Sequence, residues 1–325
     1  MESTKNSILD EIKETIEEVF SLRITDHVEI NKGLLNLKWK FKTDNGVFFV
    51  KQYNAQRYPG SKEQRLNTAL SFQMKLNGEG IRCPHILTNK EAAMIRTRSN
   101  IRFTIMEYCD GHLINAGKIN SGQAYDLGVE LAKIHIIINE HIYEKSAPTW
   151  VVPTKQQLLA KWDEKWLVTS STNTEHINHY LRLQREIFEN IEIDDFKDCK
   201  QGWAHSDLWC DNVLFHPQSL SVILDFDRLQ YTYPELDIAR AVLSFALDNN
   251  CLRMDVVKAF ISGYNEVTNF TIEDLLCSIK LLYCLESFWW LGSKSFNREE
   301  PPKRFAAEMI WLSVNWTSLK KILSN

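Results

Sequence analysis

The chain has 325 residues, of which 44% are hydrophobic and 25% charged, enough apolar material for one large globular unit or for two lobes. Its net charge of −4 argues against a nucleic-acid-binding protein and against an acidic tail. The best apolar run, 241–247, is too short to span a bilayer, the first residues lack the apolar core of a signal peptide, and the seven cysteines form no CxxC pair. We therefore expect a cytoplasmic protein with reduced thiols and no membrane or nucleic-acid partner.

The N-terminal third of the chain mixes strand and helix patterns. Leu37, Trp39 and Phe41 alternate with polar residues, as on a half-buried strand, and the Asn-Gly that follows accepts the positive φ of a hairpin turn. The predicted elements are an amphipathic helix at 6–20, a strand at 35–41, a turn at 44–46, a strand at 47–53, a helix at 62–77 and a strand at 101–108. This order predicts a small antiparallel sheet accompanied by helices.

The pattern becomes mainly helical after a short connection at 108–112. Helices are predicted at 121–142, 154–168, 174–191, 235–249, 254–266, 272–291 and 302–323. One β-like island, 204–226, interrupts them. Because strands and helices are segregated rather than alternating, the predicted fold class is α+β, with a sheet-rich lobe at 1–108 and a helical lobe at 109–325.

The island carries the residues with the clearest chemistry. Phosphoryl transfer needs a group that orients the attacking hydroxyl and accepts its proton, and oxygen ligands that hold Mg²⁺ on nucleotide phosphates. Asp207 suits the first task, and Asn212 and Asp225 suit the second. A single Asp or Asn usually only forms a turn. The combination of HxDxxxxN with a nearby DxD instead favours a catalytic site. The apolar strands between the two motifs would bring Asp207, Asn212 and Asp225 together at the opening of one site.

The sequence His205-x-Asp207-x4-Asn212 resembles the catalytic loop of the aminoglycoside phosphotransferase and choline kinase superfamily, relatives of the protein kinases. The DFD sequence that begins at Asp225 resembles the metal-binding turn of that family. The resemblance implies ATP and Mg²⁺ as cofactors, Asp207 as the catalytic base, and Asn212 and Asp225 as magnesium ligands. It makes His205 a brace for the loop and leaves Asp227 as a second metal contact or a loop hydrogen-bonding group.

The same resemblance implies a two-lobed protein-kinase-like fold. The lobe at 1–108 would bind the nucleotide, and the lobe at 109–325 would hold the catalytic loop and the acceptor site. Asp237 would steady the loop, and His135 would be a packed scaffold residue. The chain departs from the family where Ser206 and Asp211 replace common glycines and where Trp209 adds bulk to the loop.

Five further residues are assigned to the nucleotide by this resemblance. Gly33 lies where the family places a phosphate-covering turn, and Lys51 lies on the strand that carries its phosphate-binding lysine. Glu63, the only acid between 61 and 76, is the candidate carboxylate partner of Lys51. The backbone at Glu107 and Cys109 would meet the adenine. A glycine in a turn, a lysine on an exposed strand and an acid in a first helical turn also occur without any such role.

The predicted function is phosphorylation of a hydroxyl group on a small molecule, such as an amino-alcohol, an amino sugar, an antibiotic or a homoserine-like metabolite. The tryptophans of 143–200 and 245–325 could form a cage for an amine or could simply be helical core. The alternative is a kinase-like structural or assembly protein, a role that the resemblance to bacterial spore-coat relatives implies. A protein kinase is a third hypothesis with less support, because no Ala-Pro-Glu sequence follows Asp225. The sequence identifies neither the acceptor nor the nucleotide preference nor the oligomeric state.

Overall fold

The structure is a computed structural model that describes residues 2–31, 36–140, 147–171, 174–291 and 302–325. The chain divides into two compact units, which we call unit 1 and unit 2. Unit 1 comprises Met1–His112 with Ser221–Leu229, and unit 2 comprises Leu113–Leu220 with Gln230–Asn325. The segment Ser221–Leu229, which includes the DFD sequence, therefore belongs with the N-terminal residues and not, as the sequence predicts, with the lobe at 109–325.

The described residues of unit 1 form two α-helices and five strands: α1 (Glu2–Phe20), β1 (Ile24–Glu29), β2 (Lys38–Thr43), β3 (Gly46–Gln52), α2 (Glu63–Gly78), β4 (Ile95–Arg96) and β5 (Arg102–Glu107). The strands pair in one antiparallel sheet of order β1-β2-β3-β5-β4. Strand alternation puts Trp39, Phe41 and Val50 on one buried face, where they share a core with Ile12 and Ile16 of α1. The apolar stripe of α1 thus covers one face of the sheet.

The hairpin between β2 and β3 determines which residues of the two strands face each other. Thr43 pairs with Gly46, so each step outward along the strands keeps the same register, and Lys38 lies opposite Lys51. Residues directly opposite each other in an antiparallel pair point to the same face of the sheet. Two lysines therefore share one face.

Unit 2 is mainly helical. Its helices are α3 (Ser121–Asn139), α4 (Lys155–Thr169), α5 (Glu175–Asn190), α6 (Glu235–Ala246), α7 (Met254–Tyr264), α8 (Ile272–Trp290), α9 (Pro302–Asn315) and α10 (Leu319–Leu323). Short strands accompany them: β6 (Gly202–Ala204), β7 (Val213–Phe215), β9 (Gln230–Thr232), β10 (Leu247–Asp248) and β11 (Cys251–Leu252), while β8 (Leu220–Ile223) continues into unit 1. Capping boxes at Asn120, Thr154 and Thr271 begin three of the helices. No helix in the described ranges is long and apolar enough to cross a membrane.

Helices α3 and α7 approach each other closely because each contributes a glycine to the contact. A Cβ atom on Gly128 would lie 2.1 Å from the carbonyl oxygen of Phe260, and one on Gly263 would lie 2.0 Å from that of Tyr125. No side chain larger than hydrogen fits at either position. The contact holds the N-terminal half of α3 beside the end of α7.

The elements differ from the sequence expectations at several places: the helix predicted at 302–323 is interrupted by a 3₁₀ turn at Trp316–Ser318, and the two-residue strand β4 was not predicted. Strand β1 was not predicted, since its side chains are mostly exposed and its polar residues show no apolar alternation. The helix predicted at 235–249 ends at Ala246, because Asn249 and Asn250 take positive φ angles of 46° and 64° and turn the chain into the hairpin of β10 and β11.

Candidate active site

The predicted catalytic loop lies in unit 2 and follows strand β6, which pairs with β9. His205 is completely buried, and the next residue, Ser206, takes a left-handed conformation with φ of 62°. Residues other than glycine adopt this conformation at a cost. The position is one of those where the sequence departs from the glycine that is common in the family it resembles, so something nearby must compensate for the strain.

Asp237, in the first turn of α6, holds the strained part of the loop. Its carboxylate accepts hydrogen bonds from the backbone N–H groups of His205, at 2.6 Å, and Ser206, at 2.8 Å. His135 Nε2 lies 3.1 Å from the same carboxylate, and its Nδ1 lies 2.9 Å from the Tyr264 hydroxyl. Asp237, His135 and Tyr264 are all buried. The predicted roles of Asp237 in steadying the loop and of His135 as a packed scaffold residue agree with these contacts.

Asp207 and Asn212 lie side by side in the same loop. The Asn212 amide Nδ2 donates to the Asp207 carbonyl oxygen at 2.8 Å and to its carboxylate Oδ2 at 3.1 Å. The Asp207 N–H donates to His205 Nδ1 at 3.2 Å. Asn212 is buried, whereas Asp207 is half-buried. Because the donor side of the Asn212 amide is used on Asp207, its oxygen Oδ1 is the atom suited to a cation.

Lys51 lies in unit 1, on β3, and is buried. Its ammonium Nζ lies 2.7 Å from Asp225 Oδ1 and 2.6 Å from Asp227 Oδ2. Burial by itself would lower the pKa of this lysine, but Asp225 and Asp227 outweigh it and hold the pKa well above its usual range. Lys51 is therefore a fixed positive charge held between two carboxylates of the DFD sequence.

The DFD sequence has its own local structure. Asp225 is left-handed, with φ of 59° and ψ of 60°, and Phe226 begins a 3₁₀ turn that packs against α2. Phe226 is completely buried, which anchors the turn between the two aspartates. Asp227 accepts hydrogen bonds from the hydroxyls of Tyr53, at 3.1 Å, and Tyr58, at 3.3 Å.

The structure contradicts the expected pairing of Glu63 with Lys51. Glu63 begins α2, and its carboxylate lies 3.1 Å from Arg102 Nη1 and also contacts Arg96. Arg96 and Arg102 belong to β4 and β5, so the first turn of α2 is tied to that edge of the sheet. The hydrogen bond from Arg96 lowers the pKa of Glu63, and the positive charges of Arg96 and Arg102 lower it further. The partners of Lys51 are the two aspartates instead.

Three nucleotide-binding candidates remain, of which the structure describes Glu107 and Cys109. Gly33 lies outside the described residues. Glu107 ends β5, and its N–H donates to the His85 carbonyl oxygen at 2.9 Å. Cys109 is half-buried, and burial together with Glu107 and Asp110 raises the pKa of its thiol to about 11. A neutral thiol agrees with a residue that would act through its backbone.

Three residues near Lys51 were not predicted from the sequence to belong to the site. Lys38 lies opposite Lys51 on β2, and Tyr53 and Tyr58 donate to Asp227, which pairs with Lys51. Burial and the neighbouring Lys51 lower the pKa of Lys38, while Asp225 and Asp227 act in the opposite direction. The sequence alternation predicts only that Lys38 lies on the polar side of its strand. Its place opposite Lys51 follows from the hairpin register, which the Asp-Asn-Gly turn could have supplied.

Two tryptophans of unit 2 pack against one aromatic ring in its interior. Trp209 and Trp290 flank the ring of Phe305, with centroids 5.2 and 4.8 Å away. The guanidinium of Arg240 lies 4.7 Å from the Phe305 centroid and pairs with Glu286 and Glu308. This aromatic cluster already holds a cation, which favours the core interpretation over an amine cage.

Comparison with known proteins places this chain among phosphotransferases. Residues 26–271, more than half of the chain, match a family model described as the phosphotransferase enzyme family, APH. A homoserine kinase from Rhodopseudomonas palustris strain BisA53 is 22% identical over 238 residues, which are 73% of this chain and 68% of that kinase.

Solved structures with the same fold cover nearly the whole chain. An aminoglycoside phosphotransferase from Alicyclobacillus acidocaldarius subsp. acidocaldarius DSM 446 matches with a TM-score of 0.65 at 14% identity, over 95% of this chain and 96% of that one. The amicoumacin kinase hAmiN, in complex with AMP-PNP, Ca²⁺ and Ami, matches with a TM-score of 0.57 at 14% identity, over 98% and 97%. With the antiparallel sheet of unit 1 and the helices of unit 2, these matches confirm the predicted two-lobed, kinase-like α+β fold.

Proposed function

We propose that this chain, which belongs to the phosphotransferase enzyme family, transfers the γ-phosphate of ATP to a hydroxyl group of a small molecule with the help of Mg²⁺. Membership and the kinase relatives make the chain a phosphotransferase that acts on a hydroxyl. The nucleotide, the metal and the identity of the acceptor are the proposal.

The construction of the loop that begins at His205 is the observation that carries it. A group that accepts a proton in the transition state must be held in one orientation. Asn212 donates to the Asp207 carboxylate, and Asp237 fixes the backbone just before it through two hydrogen bonds. In the proposed reaction Asp207 orients the acceptor hydroxyl and takes its proton as the phosphorus–oxygen bond forms.

Lys51 is proposed to bind phosphate oxygens of the nucleotide. Its raised pKa keeps the ammonium charged, and a buried charge acts more strongly than an exposed one because water screens it less. The backbone groups at Glu107 and Cys109 are proposed to bind the adenine, and Gly33 to belong to the turn over the phosphates. Glu63 is not part of this proposal, because its carboxylate is used by Arg96 and Arg102.

The residues proposed for the metal fit a hard cation. Asn212 offers an amide oxygen, and Asp225 offers a carboxylate that is 29% exposed. Magnesium is commonly bound by one or two such protein oxygens together with substrate phosphates and waters. When bound, Mg²⁺ would neutralise charge on the transferring phosphoryl group. Lys51, beside Asp225, would share the neutralisation of that charge from the protein side.

The acceptor is proposed to be a small polar alcohol, with homoserine first among the candidates. The named relative is a homoserine kinase, and the solved structures include kinases of antibiotics. Since Arg240 already occupies the aromatic cluster of unit 2, an open cage for a quaternary amine has less support than a polar acceptor site.

The test is a coupled assay of ADP release over a panel that contains homoserine, amino-alcohols, amino sugars and aminoglycosides. The wild type should phosphorylate at least one of these with Mg²⁺. Asp207→Asn should lower turnover by about 10²-fold or more while retaining nucleotide-dependent thermal stabilisation. Near-wild-type turnover in Asp207→Asn would remove Asp207 from the mechanism. A wild type that nucleotide does not stabilise would favour a structural role over catalysis.

A further inference from the structure

The two carboxylates on Lys51 lie in different environments. The Asp227 side chain is 3% exposed, whereas that of Asp225 is 29% exposed. Both lie within 2.7 Å of the ammonium. A carboxylate that must exchange a lysine for a metal ion needs access to solvent, and one that serves only as a partner does not.

Asp227 is satisfied by protein donors on both oxygens. The Tyr53 hydroxyl donates to Oδ1 at 3.1 Å. Oδ2 accepts a hydrogen bond from the Tyr58 hydroxyl at 3.3 Å and lies 2.6 Å from the Lys51 ammonium. Burial, and next the Asp227 charge, raise the pKa of Tyr53 well above its usual value and that of Tyr58 to about 12. Both hydroxyls therefore remain protonated donors. Three donors around a buried carboxylate fix its position.

Helix α2 does not supply this carboxylate. Glu63 is its single acidic residue, and it contacts Arg96 and Arg102. The buried polar side chain further along the helix, Gln73, donates its amide to the Pro84 carbonyl oxygen at 2.8 Å. The positioning of Lys51 therefore rests on residues from β3, the segment after it and the DFD turn.

We propose that Asp227, held by Tyr53 and Tyr58, is the positioning residue that anchors Lys51 for phosphate binding and leaves Asp225 to serve as the metal ligand. This inference rests on the proposed function. It makes the second aspartate of the DFD sequence the permanent partner of the lysine. It also makes the affinity for nucleotide independent of the acid in α2.

A double-mutant cycle on Lys51 and Asp227 tests the anchor. The readout is the Kd of ATP measured with EDTA present, so that loss of a metal ligand does not contribute. Asp227→Asn keeps the shape of the side chain and removes its charge, and it should weaken metal-free ATP binding about tenfold, as Lys51→Met should. The double variant should bind no more weakly than Lys51→Met alone. Glu63→Gln, the matched removal of the α2 charge, should stay within about twofold of the wild type.

Additive effects of the two substitutions would overturn the anchor, because Asp227 would then act on ATP binding independently of Lys51. A tenfold loss in Glu63→Gln would overturn it as well. If Asp227→Asn does not fold, Tyr58→Phe takes its place in the cycle, with an expected loss of about threefold that disappears in the Lys51→Met background. An unchanged Kd in Tyr58→Phe would count against the anchor.

The proposed function and the anchor fail in different ways. If the wild type binds no nucleotide with or without Mg²⁺, the proposed function is wrong and the positioning role falls with it. A urea-unfolding cycle on the same variants still reports whether Lys51 and Asp227 are coupled. If the wild type binds ATP but the cycle shows no coupling, only the anchor is wrong.

Discussion

Replacing Asp237 with asparagine should loosen the loop around Asp207 without removing a side chain that the proposed reaction uses. The Asp237 carboxylate receives the N–H groups of His205 and Ser206 and contacts His135 Nε2, at 2.6, 2.8 and 3.1 Å. An asparagine amide has one oxygen and one NH₂ group. At least one of these contacts must therefore be lost, and a donor then faces a donor inside the protein.

The size of the effect follows from these contacts. A hydrogen bond to a charged group contributes about 1.5–3 kcal/mol, and an unsatisfied buried donor costs about 1–3 kcal/mol. The left-handed Ser206, at φ of 62°, adds a local cost that the lost bond no longer offsets. Since the site is buried and water does not replace the missing partner, we expect Asp237→Asn to lower the free energy of unfolding by about 2–4 kcal/mol.

Urea unfolding followed by tryptophan fluorescence measures this change, and Asp274→Asn is the matched control. Asp274 lies in the first turn of α8, is exposed and accepts hydrogen bonds from Thr271, so the same substitution there should cost less than about 1 kcal/mol. Turnover of Asp237→Asn should fall while Kd for nucleotide changes little. If Asp237→Asn unfolds within about 0.5 kcal/mol of the wild type, the loop is held by something other than this carboxylate.

Three other outcomes are expected. Asp225→Ala should lose magnesium-dependent nucleotide binding in calorimetry, because it removes a charged oxygen ligand, and unchanged binding would exclude it as a metal ligand. Trp290→Leu should lower the Tm and leave the acceptor KM unaltered, since Trp290 packs on Phe305 and donates to Glu286; a raised KM with an unchanged Tm would place it in the acceptor site instead. The thiols of Cys199 and Cys277 lie 3.3 Å apart, so one equivalent of hydrogen peroxide should join them with loss of two hydrogens and release of water, a mass change that Cys199→Ser abolishes.

The residues of the loop were predictable because their relations are local. Asp207 and Asn212 are five positions apart, and a short turn between them suffices to bring the two side chains together. The hairpin at 44–46 likewise determines the register that places Lys38 opposite Lys51. Where the chain returns on itself within a few residues, turn chemistry and alternation predict the geometry.

The partners of Lys51 could not be predicted because they depend on contacts between residues far apart in the chain. Tyr53 and Asp227 are 174 positions apart, and no periodicity links them. Glu63 is the one acid of its helix, which makes it the candidate partner of Lys51 in the sequence. It lies at the start of that helix, however, where its carboxylate pairs with the buried Arg102 of the adjacent sheet. Competition between a lysine and an arginine for one carboxylate is decided by packing, which the sequence alone does not display.

The glycine contact between α3 and α7 also matters for engineering. Glycine-to-alanine changes within helices are a common route to thermostability, because they reduce the freedom of the unfolded chain. At Gly128 and Gly263 the added methyl group would meet a backbone carbonyl at about 2 Å, and the helices would have to separate. That separation would draw Tyr264 away from His135, so a stabilising campaign should leave both positions alone and begin at Gly78, where an added methyl meets no atom within 4 Å.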